Sequence, residues 1–320
     1  MTRLETFTQQ VLVGRELTSQ EAQELYSQPL EDLCQAANEI RRHFCGWRFD
    51  LCTIFNGKSG RCSEDCRFCA QSARHHTGAA EYPLLSPKAL AAPAKVNADQ
   101  GVLRYSIVTS GKRLSEAEVD CLCEAICLIR AESNISVCVS AGLLKEAQYR
   151  QLKQAGADRV HNNLETSRRY FPSVCTTHTF DDKLRAIWAA QAAGLTVCSG
   201  GIMGLGETVK DRIDMALTLR DLGIQSVPIN LLNPIPGTPL EENQRLTTED
   251  MRRIVAVYRF LLPEASIRLA GGRGLLEDKG LSCFRSGANA AISGDMLTTA
   301  GITVETDLQM LEELGYEVRL

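Results

Sequence analysis

Short apolar runs alternate with amphipathic stretches along most of the chain. Runs rich in β-branched and aliphatic residues predict strands at residues 51–55, 102–108, 135–140, 159–163, 195–201, 226–231, 266–270 and 288–292. Between them, apolar residues recur at helical spacing and predict helices at 87–98, 115–132, 145–155, 180–193, 209–222 and 247–262. A further helix is predicted at 17–44, ahead of the first strand.

Strands that alternate with helices are typical of a parallel sheet covered by helices. An open doubly wound sheet has the same local pattern. The number of strands and the length favour a closed α/β fold, the (β/α)8 TIM-type barrel. We expect a helical N-terminal extension over residues 1–44 and a barrel domain with a C-terminal tail over residues 45–320. Chemistry in such a barrel lies at the carboxyl ends of the strands.

Charge and composition narrow the class of protein. The net charge is −4, so no basic surface is expected to bind nucleic acid or an anionic membrane. The longest apolar stretches are too short to span a bilayer, and the first residues lack the apolar core of a signal peptide. We therefore expect a cytoplasmic protein. Its 13 cysteines, an odd number in a long chain, favour thiolate chemistry over disulfides.

Three closely spaced cysteines follow the first predicted strand. Cys62, Cys66 and Cys69 form a C-x3-C-x2-C loop, which suits three irons of a 4Fe–4S cluster and leaves the fourth iron free to bind a substrate group. The alternative is a structural zinc site with His75 or His76 as the fourth ligand. Zinc ligands usually come as two separated pairs, so the spacing favours iron and sulfur.

The loop and four later segments resemble the biotin synthase family of radical S-adenosylmethionine (SAM) enzymes. After Cys69 the loop continues Ala-Gln-Ser-Ala-Arg-His-His-Thr-Gly, and the later segments lie at 163–167, 197–208, 226–232 and 266–273. The resemblance covers roughly residues 20–318 and implies a sulfurtransferase that inserts sulfur into dethiobiotin. It also implies two SAM molecules consumed per biotin, an auxiliary iron–sulfur cluster as sulfur donor, an electron donor such as flavodoxin or ferredoxin, and a homodimer.

The resemblance assigns roles in SAM binding. The cluster of Cys62, Cys66 and Cys69 cleaves SAM, and the resemblance places Glu165 at the ribose. The residues implied at the adenine are Phe68, Gly200, Ile202 and Gly204. Without this resemblance, Gly204 and Gly206 would be assigned to a tight turn between strand and helix.

Substrate contacts follow from the same resemblance. Asn163 and Asn230 match positions that hold the ureido ring, since an amide offers both a donor and an acceptor. Each asparagine alone is more often a turn or cap residue. His178 replaces a usual arginine, and if that arginine meets the SAM carboxylate, His178 would bind it more weakly and with a pH dependence.

The auxiliary cluster is where this sequence departs from the family. The usual ligands are three cysteines and an arginine, and the positions matched here are Cys138, Cys198 and Arg268. The fourth position is Ser106, a poor iron ligand beside thiolates. Cys52 on strand one is a candidate replacement if its face of the strand points inward, and Cys45 is a second. The cluster is then of the 2Fe–2S or a larger 4Fe type. Alternatively, Cys52 is a small buried apolar residue.

The other cysteines are interpreted as packing residues. Cys121, Cys123 and Cys127 fall on one predicted outer helix, and Cys34, Cys175 and Cys283 receive the same interpretation. Two other functions stay open at this point. One is a radical SAM enzyme of the hydrogenase-maturation or methylornithine-forming type, without sulfur insertion. The other is a non-catalytic iron–sulfur carrier.

Overall fold

The computed structural model describes residues 1–320. Parallel strands close into a barrel because the first strand, β1, pairs with both β2 and β9. The barrel strands are β1 (Arg48–Lys58), β2 (Arg104–Thr109), β3 (Ser136–Ser140), β4 (Arg159–His161), β5 (Thr196–Cys198), β6 (Gly201–Met203), β7 (Ser226–Leu231), β8 (Ser266–Leu269) and β9 (Ala290–Ser293). With β5 and β6 forming the fifth position, the predicted (β/α)8 barrel is confirmed.

The fifth position differs from the prediction of one strand at 195–201. β5 pairs with β4 and β7, whereas β6 pairs only with β7. The interruption falls at Ser199 and Gly200. A Cβ atom on Gly200 would lie 1.9 Å from the carbonyl oxygen of Pro228, so only glycine fits where the two backbones approach.

The N-terminal region contains three helices, α1 (Arg3–Leu12), α2 (Ser19–Tyr26) and α3 (Leu30–Cys45). The prediction of one helix over 17–44 is therefore wrong. Pro29 has no N–H to donate and sits at the N-cap of α3, so the helix breaks there. Thr18 caps α2 in a capping box with Glu21.

The predicted outer helices are all present. They are α4 (Pro87–Asp99), α5 (Glu116–Glu132), α6 (Glu146–Ala155), α7 (Phe180–Ala192), α8 (Val209–Asp221) and α9 (Thr248–Leu261). Ser115 and Thr247 cap α5 and α9 in capping boxes. Helices α2 and α3 pack on α8 and α9, so the N-terminal helices share one apolar core with the barrel.

The C-terminal region contains elements that the sequence pattern did not predict. After the short helix α10 (Leu281–Arg285) and β9, the chain forms α11 (Val304–Glu313) and β10 (Glu317–Val318). Strand β10 pairs in parallel with the start of β1, through Arg48 and Phe49. None of the helices is long and apolar enough to cross a membrane.

Candidate active site

The barrel encloses a cavity of about 400 Å³. Its wall combines the three-cysteine loop, the inward-facing residues of the strands, and the segment 296–299 after β9. Of the residues predicted for the site, those that line it are Cys52, Cys62, Cys66, Phe68, Cys69, Cys138, Asn163, Glu165, Cys198, Ile202, Asn230 and Arg268. The barrel therefore brings both predicted sets of cysteines to one space.

The cysteine loop is held by its own backbone. The N–H of Cys62 donates to the carbonyl of Gln71 at 3.0 Å, and its carbonyl accepts from the N–H of Ala73 at 2.8 Å. The three sulfur atoms do not converge within 4.8 Å of one another. Thiolates on one tetrahedral ion would be roughly 3.7 Å apart, given a bond of about 2.3 Å. Three thiolates that do not converge on one ion would suit a cluster in which each of them binds a different iron.

The zinc alternative with His75 or His76 is wrong for this loop. Nδ1 of His75 lies 2.9 Å from the backbone carbonyl of Cys69. Neither histidine belongs to a group of three ligand atoms close enough to share an ion. Burial raises the pKa of Cys69 to about 11, so its thiol must lose a proton when a metal binds.

Four residues predicted for the auxiliary site line the cavity on the barrel strands: Cys52, Cys138, Cys198 and Arg268. Cys52 and Ile54 both line the cavity, which settles which face of β1 points inward. Ser106 on β2 lies beside Cys138 on β3 in the strand register. Cys45 is instead outside the cavity, with its sulfur 3.8 Å from the carbonyls of Pro263 and Glu264. The structure thus brings Cys52, and not Cys45, to the same cavity as Cys138, Cys198 and Arg268.

A cluster of arginines around one carboxylate forms the floor below these thiols. Asp50 lies 2.7 Å from Arg268, 3.1 Å from Arg104 and 3.5 Å from Arg159. Burial alone would raise the pKa of Asp50, but the three guanidinium charges outweigh it and lower that pKa to about 2. The three arginines also line the cavity, which gives its floor a net positive charge.

The residues at this floor fit an anionic iron–sulfur cluster. Nη2 of Arg268 is buried and makes no hydrogen bond, although it is within ion-pair distance of Asp50. Its charge, together with those of Arg104 and Arg159, suits an anion bound in the cavity. Burial raises the pKa of Cys52 to about 11 and that of Cys138 to about 12. Both thiols are therefore neutral until a metal displaces their protons.

Asn163 connects the fourth and fifth barrel positions. Its Oδ1 accepts from the N–H of Gly200 at 3.1 Å and from Nε2 of His161 at 2.9 Å, while Nδ2 donates to Glu165 at 3.3 Å. Burial lowers the pKa of His161 to about 4, so its ring is neutral and Nε2 carries the proton. Burial also raises the pKa of Glu165.

Asn230 and the glycines have structural partners of their own. Asn230 donates to the carbonyl of Gly201 at 3.0 Å and accepts from the N–H of Gly271 at 2.9 Å. Gly200 and Gly204 do not line the cavity. Gly204 has φ +99°, and its N–H donates to Glu207, which is the geometry of a turn.

His178 is buried away from the cavity lining, against the outer side of the cysteine loop. Its Nδ1 lies 2.6 Å from Glu64 and 3.2 Å from the sulfur of Cys175. Cys175, interpreted from sequence as a packing residue, is therefore a polar neighbour of the loop. Cys175 also belongs to the apolar core, as the packing interpretation predicts, whereas Cys127 is exposed and that interpretation is wrong for it.

The sequence reasoning missed Asp50, Arg104 and Arg159 as site residues. Asp50 and Arg104 lie two positions before Cys52 and Ser106, which the sequence had singled out, and Arg159 lies four positions before Asn163. Because alternate residues of a strand share a face, the period of two was the signal that could have found them.

Comparisons with known proteins agree with this geometry. The profile of the radical SAM superfamily matches residues 58–219, and that of the Biotin and Thiamin Synthesis associated domain matches residues 228–317. The barrel, the three-cysteine loop and these matches define a radical SAM enzyme, which excludes the non-catalytic carrier.

Relatives identify the family within this class. Biotin synthase of Brachyspira hyodysenteriae is 57% identical over 317 residues, covering 99% of this chain and 95% of its own. Biotin synthase of Akkermansia muciniphila is 58% identical over 310 residues, covering 97% of each chain. This chain belongs to the biotin synthase family.

A solved structure shows the same fold in another enzyme. Methylornithine synthase superposes with a TM-score of 0.83 over 98% of this chain and 97% of its own, at 20% identity. At that identity the likeness concerns the fold alone. The alternative of a methylornithine-forming or hydrogenase-maturation enzyme therefore has support only from the fold.

Proposed function

We propose that this enzyme inserts sulfur into dethiobiotin to form the thiophane ring of biotin. One observation carries the proposal. The loop of Cys62, Cys66 and Cys69 and the deeper set of Cys52, Cys138, Cys198 and Arg268 line one cavity. A reductively cleaved SAM supplies a 5′-deoxyadenosyl radical, and an auxiliary cluster supplies the sulfur atom. The cavity volume of about 400 Å³ lies within the usual range for small-molecule sites.

The proposed SAM site follows the cavity wall above the cysteine loop. Phe68 and Ile202 offer apolar surface for the adenine, and the carboxylate of Glu165 accepts from the ribose hydroxyls. Gly200 and Gly204 contribute through the shape of the backbone that carries Ile202. We propose that His178 binds the SAM carboxylate. Nδ1 of His178 contacts Glu64, and the ring does not line the cavity. To bind the SAM carboxylate, the ring would have to break its contact with Glu64 and turn towards the cavity.

The proposed dethiobiotin site uses the hydrogen-bonding groups of two asparagines that have no partner within the protein. Oδ1 of Asn163 already accepts two hydrogen bonds, so only one N–H of its amide is free for the ureido carbonyl. Asn230 retains one N–H and one lone pair beyond its backbone partners. Asn230 is thus the partner suited to accept from a ureido nitrogen.

We also propose that Cys52 replaces the thiolate absent at Ser106. Cys52 faces the cavity from the strand next to Ser106, and Cys138 and Cys198 face it from β3 and β5. The arginines at the floor offset the negative charge of bound thiolates. Moving one ligand from β2 to β1 changes the ligand polygon, which favours a larger 4Fe cluster over the 2Fe–2S type.

We also propose that residues 1–44 form a helical extension and residues 45–320 the barrel domain with its C-terminal tail. The cytoplasmic location, the homodimer and an electron donor such as flavodoxin or ferredoxin are part of the same proposal. The homodimer and the electron donor rest on the family resemblance. Size-exclusion chromatography with light scattering tests the homodimer, and replacement of a chemical reductant by flavodoxin tests the donor.

A turnover assay tests the proposed function. Anaerobically reconstituted enzyme is supplied with dethiobiotin, SAM and a reductant, and both biotin and 5′-deoxyadenosine are quantified by mass spectrometry. We expect biotin, with about two molecules of 5′-deoxyadenosine for each. Formation of 5′-deoxyadenosine without any biotin would instead support a radical SAM enzyme that does not insert sulfur.

A further inference from the structure

Cys66, Cys175 and His178 form a compact group of metal-binding atoms. Their ligand atoms all lie within 4.8 Å of one another, and no other group of three in the chain meets this condition. Cys175 and His178 are buried, and Cys66 is half-buried. Cys66 belongs to the cysteine loop, whereas the other two come from the segment before α7.

The spacing of these atoms suits one tetrahedral ion. The sulfur of Cys175 lies 3.2 Å from Nδ1 of His178. Bonds of about 2.3 Å to sulfur and about 2.0–2.1 Å to nitrogen at a tetrahedral centre would place these atoms roughly 3.5 Å apart. A shift of a few tenths of an ångström therefore turns the observed contact into a coordination edge. Two thiolates and an imidazole are a donor set preferred by Zn²⁺ and also used by Fe²⁺.

The surroundings hold the group in place. Asp65 accepts hydrogen bonds from the backbone N–H groups of Thr176 and Thr177 at 2.9 and 3.1 Å, which ties the cysteine loop to the segment that carries Cys175. The edge of the Phe171 ring packs on His178, with ring centroids 5.6 Å apart. Two carboxylates border the group: Oε2 of Glu64 lies 2.6 Å from Nδ1 of His178, and Oδ1 of Asp65 lies 3.2 Å from the sulfur of Cys175.

We infer that Cys66, Cys175 and His178 bind a single divalent ion, Zn²⁺ or Fe²⁺, in the cluster-free protein, and that this ion and the SAM-cleaving cluster exclude each other. Binding replaces the proton of each thiol by a bond to the ion, so both protons leave to solvent. Nδ1 of His178 faces the carboxylate of Glu64 and carries a proton, which it must also release to bind the ion; the neutral ring then keeps one proton, on Nε2. The divalent ion and the SAM-cleaving cluster exclude each other because each requires the sulfur of Cys66 as a ligand. That exclusion rests on the proposed role of Cys66 in the cluster, whereas the mononuclear site stands without it.

Cobalt titration of cluster-free, full-length protein tests the mononuclear site. We expect one Co²⁺ per chain, with the visible absorption of tetrahedral cobalt and a thiolate charge-transfer band. Cys175→Ala and His178→Ala should each weaken cobalt binding by more than about tenfold. Loss of a residue that only supports a ligand already costs about tenfold or more, and loss of a ligand itself should cost more than that. Cys69→Ala is the matched control and should bind cobalt normally, since Cys69 is a cluster ligand outside the group.

The opposite pattern would overturn the site. If Cys69→Ala abolishes the tetrahedral spectrum while Cys175→Ala retains it, the ion is bound by the cysteine loop alone. Circular dichroism and thermal melting establish that each variant is folded, and Cys175→Ser, which keeps the shape of the side chain, replaces Cys175→Ala if the latter does not fold.

Iron uptake tests the exclusion separately. Wild-type protein loaded with Zn²⁺ should take up iron and sulfide more slowly during anaerobic reconstitution than zinc-free protein. In Cys175→Ser, zinc should no longer slow the uptake. Equal uptake by zinc-loaded and zinc-free wild type would refute the exclusion, while a cobalt site lost in Cys175→Ala would still identify the mononuclear site.

Discussion

Replacing Asp50 by asparagine should destabilise the barrel by an amount that the structure allows us to work out. Asp50 is the only carboxylate in contact with Arg104, Arg159 and Arg268, and all four side chains are at least 87% buried. Its pKa falls from the ordinary 3.8 to about 2, which at about 1.4 kcal/mol per unit corresponds to roughly 2–3 kcal/mol. Breaking a buried ion pair commonly costs about 3–5 kcal/mol. We expect Asp50→Asn to lower the free energy of unfolding by about 3 kcal/mol.

Urea denaturation of the cluster-free protein, followed by circular dichroism, measures this loss at neutral pH. Asp214→Asn is the control, since Asp214 pairs with Lys210 on the outside of α8 at 2.7 Å. That exposed pair should contribute no more than about 0.5 kcal/mol. A free energy of unfolding for Asp50→Asn within about 0.5 kcal/mol of wild type would refute the reasoning, because the arginines would then need no counter-charge.

The same carboxylate predicts a pH dependence with a definite sign. The pKa of Asp50 is lower in the folded protein than in the unfolded chain, so its contribution is fully present above about pH 4 and is lost as the pH falls towards 2. The difference between wild type and Asp50→Asn should therefore shrink between pH 4 and pH 2. A difference that grows on acidification would contradict the assignment.

Two further predictions concern the ligands of the cavity. Changing Cys62, Cys66 or Cys69 to alanine should abolish formation of 5′-deoxyadenosine and leave the circular dichroism spectrum unchanged, and a triple variant that still cleaves SAM would remove the loop from this role. Changing Asn163 or Asn230 to alanine should weaken dethiobiotin binding by about 1–3 kcal/mol, because a ureido donor or acceptor is left unpaired. Calorimetry with unchanged affinity in both variants would exclude these asparagines.

Most of the barrel was predictable because each strand and outer helix carries its own local signal. Some of the missed features did carry such a signal, namely the capping box at Thr2 before α1 and the proline inside the predicted helix 17–44, whereas others depend on distant residues or are too short. Helix 17–44 is broken at Pro29, a residue that could have been read as a boundary. The interruption at Gly200 depends on the backbone of Pro228, which lies on another strand. Strand β10 has two residues, too few for an alternating pattern to show.

The site followed the same rule. The cysteine loop is contiguous, so its spacing alone identified it. The floor of Asp50 and its arginines comes from four different strands, and the period of two along each strand was its only signal. Cys175 is separated from Cys66 by more than a hundred residues, and only the folded chain brings the two together.

Mössbauer spectroscopy of Cys52→Ala, reconstituted anaerobically with iron and sulfide, tests most directly whether Cys52 completes the sulfur-donating site. The control is Cys283→Ala, since Cys283 is buried in the apolar core outside the cavity. We predict that Cys52→Ala loses the signal and iron of the auxiliary cluster only, still forms 5′-deoxyadenosine, and makes no biotin, while Cys283→Ala resembles wild type. Full auxiliary signal and a normal yield of biotin in Cys52→Ala would contradict the account.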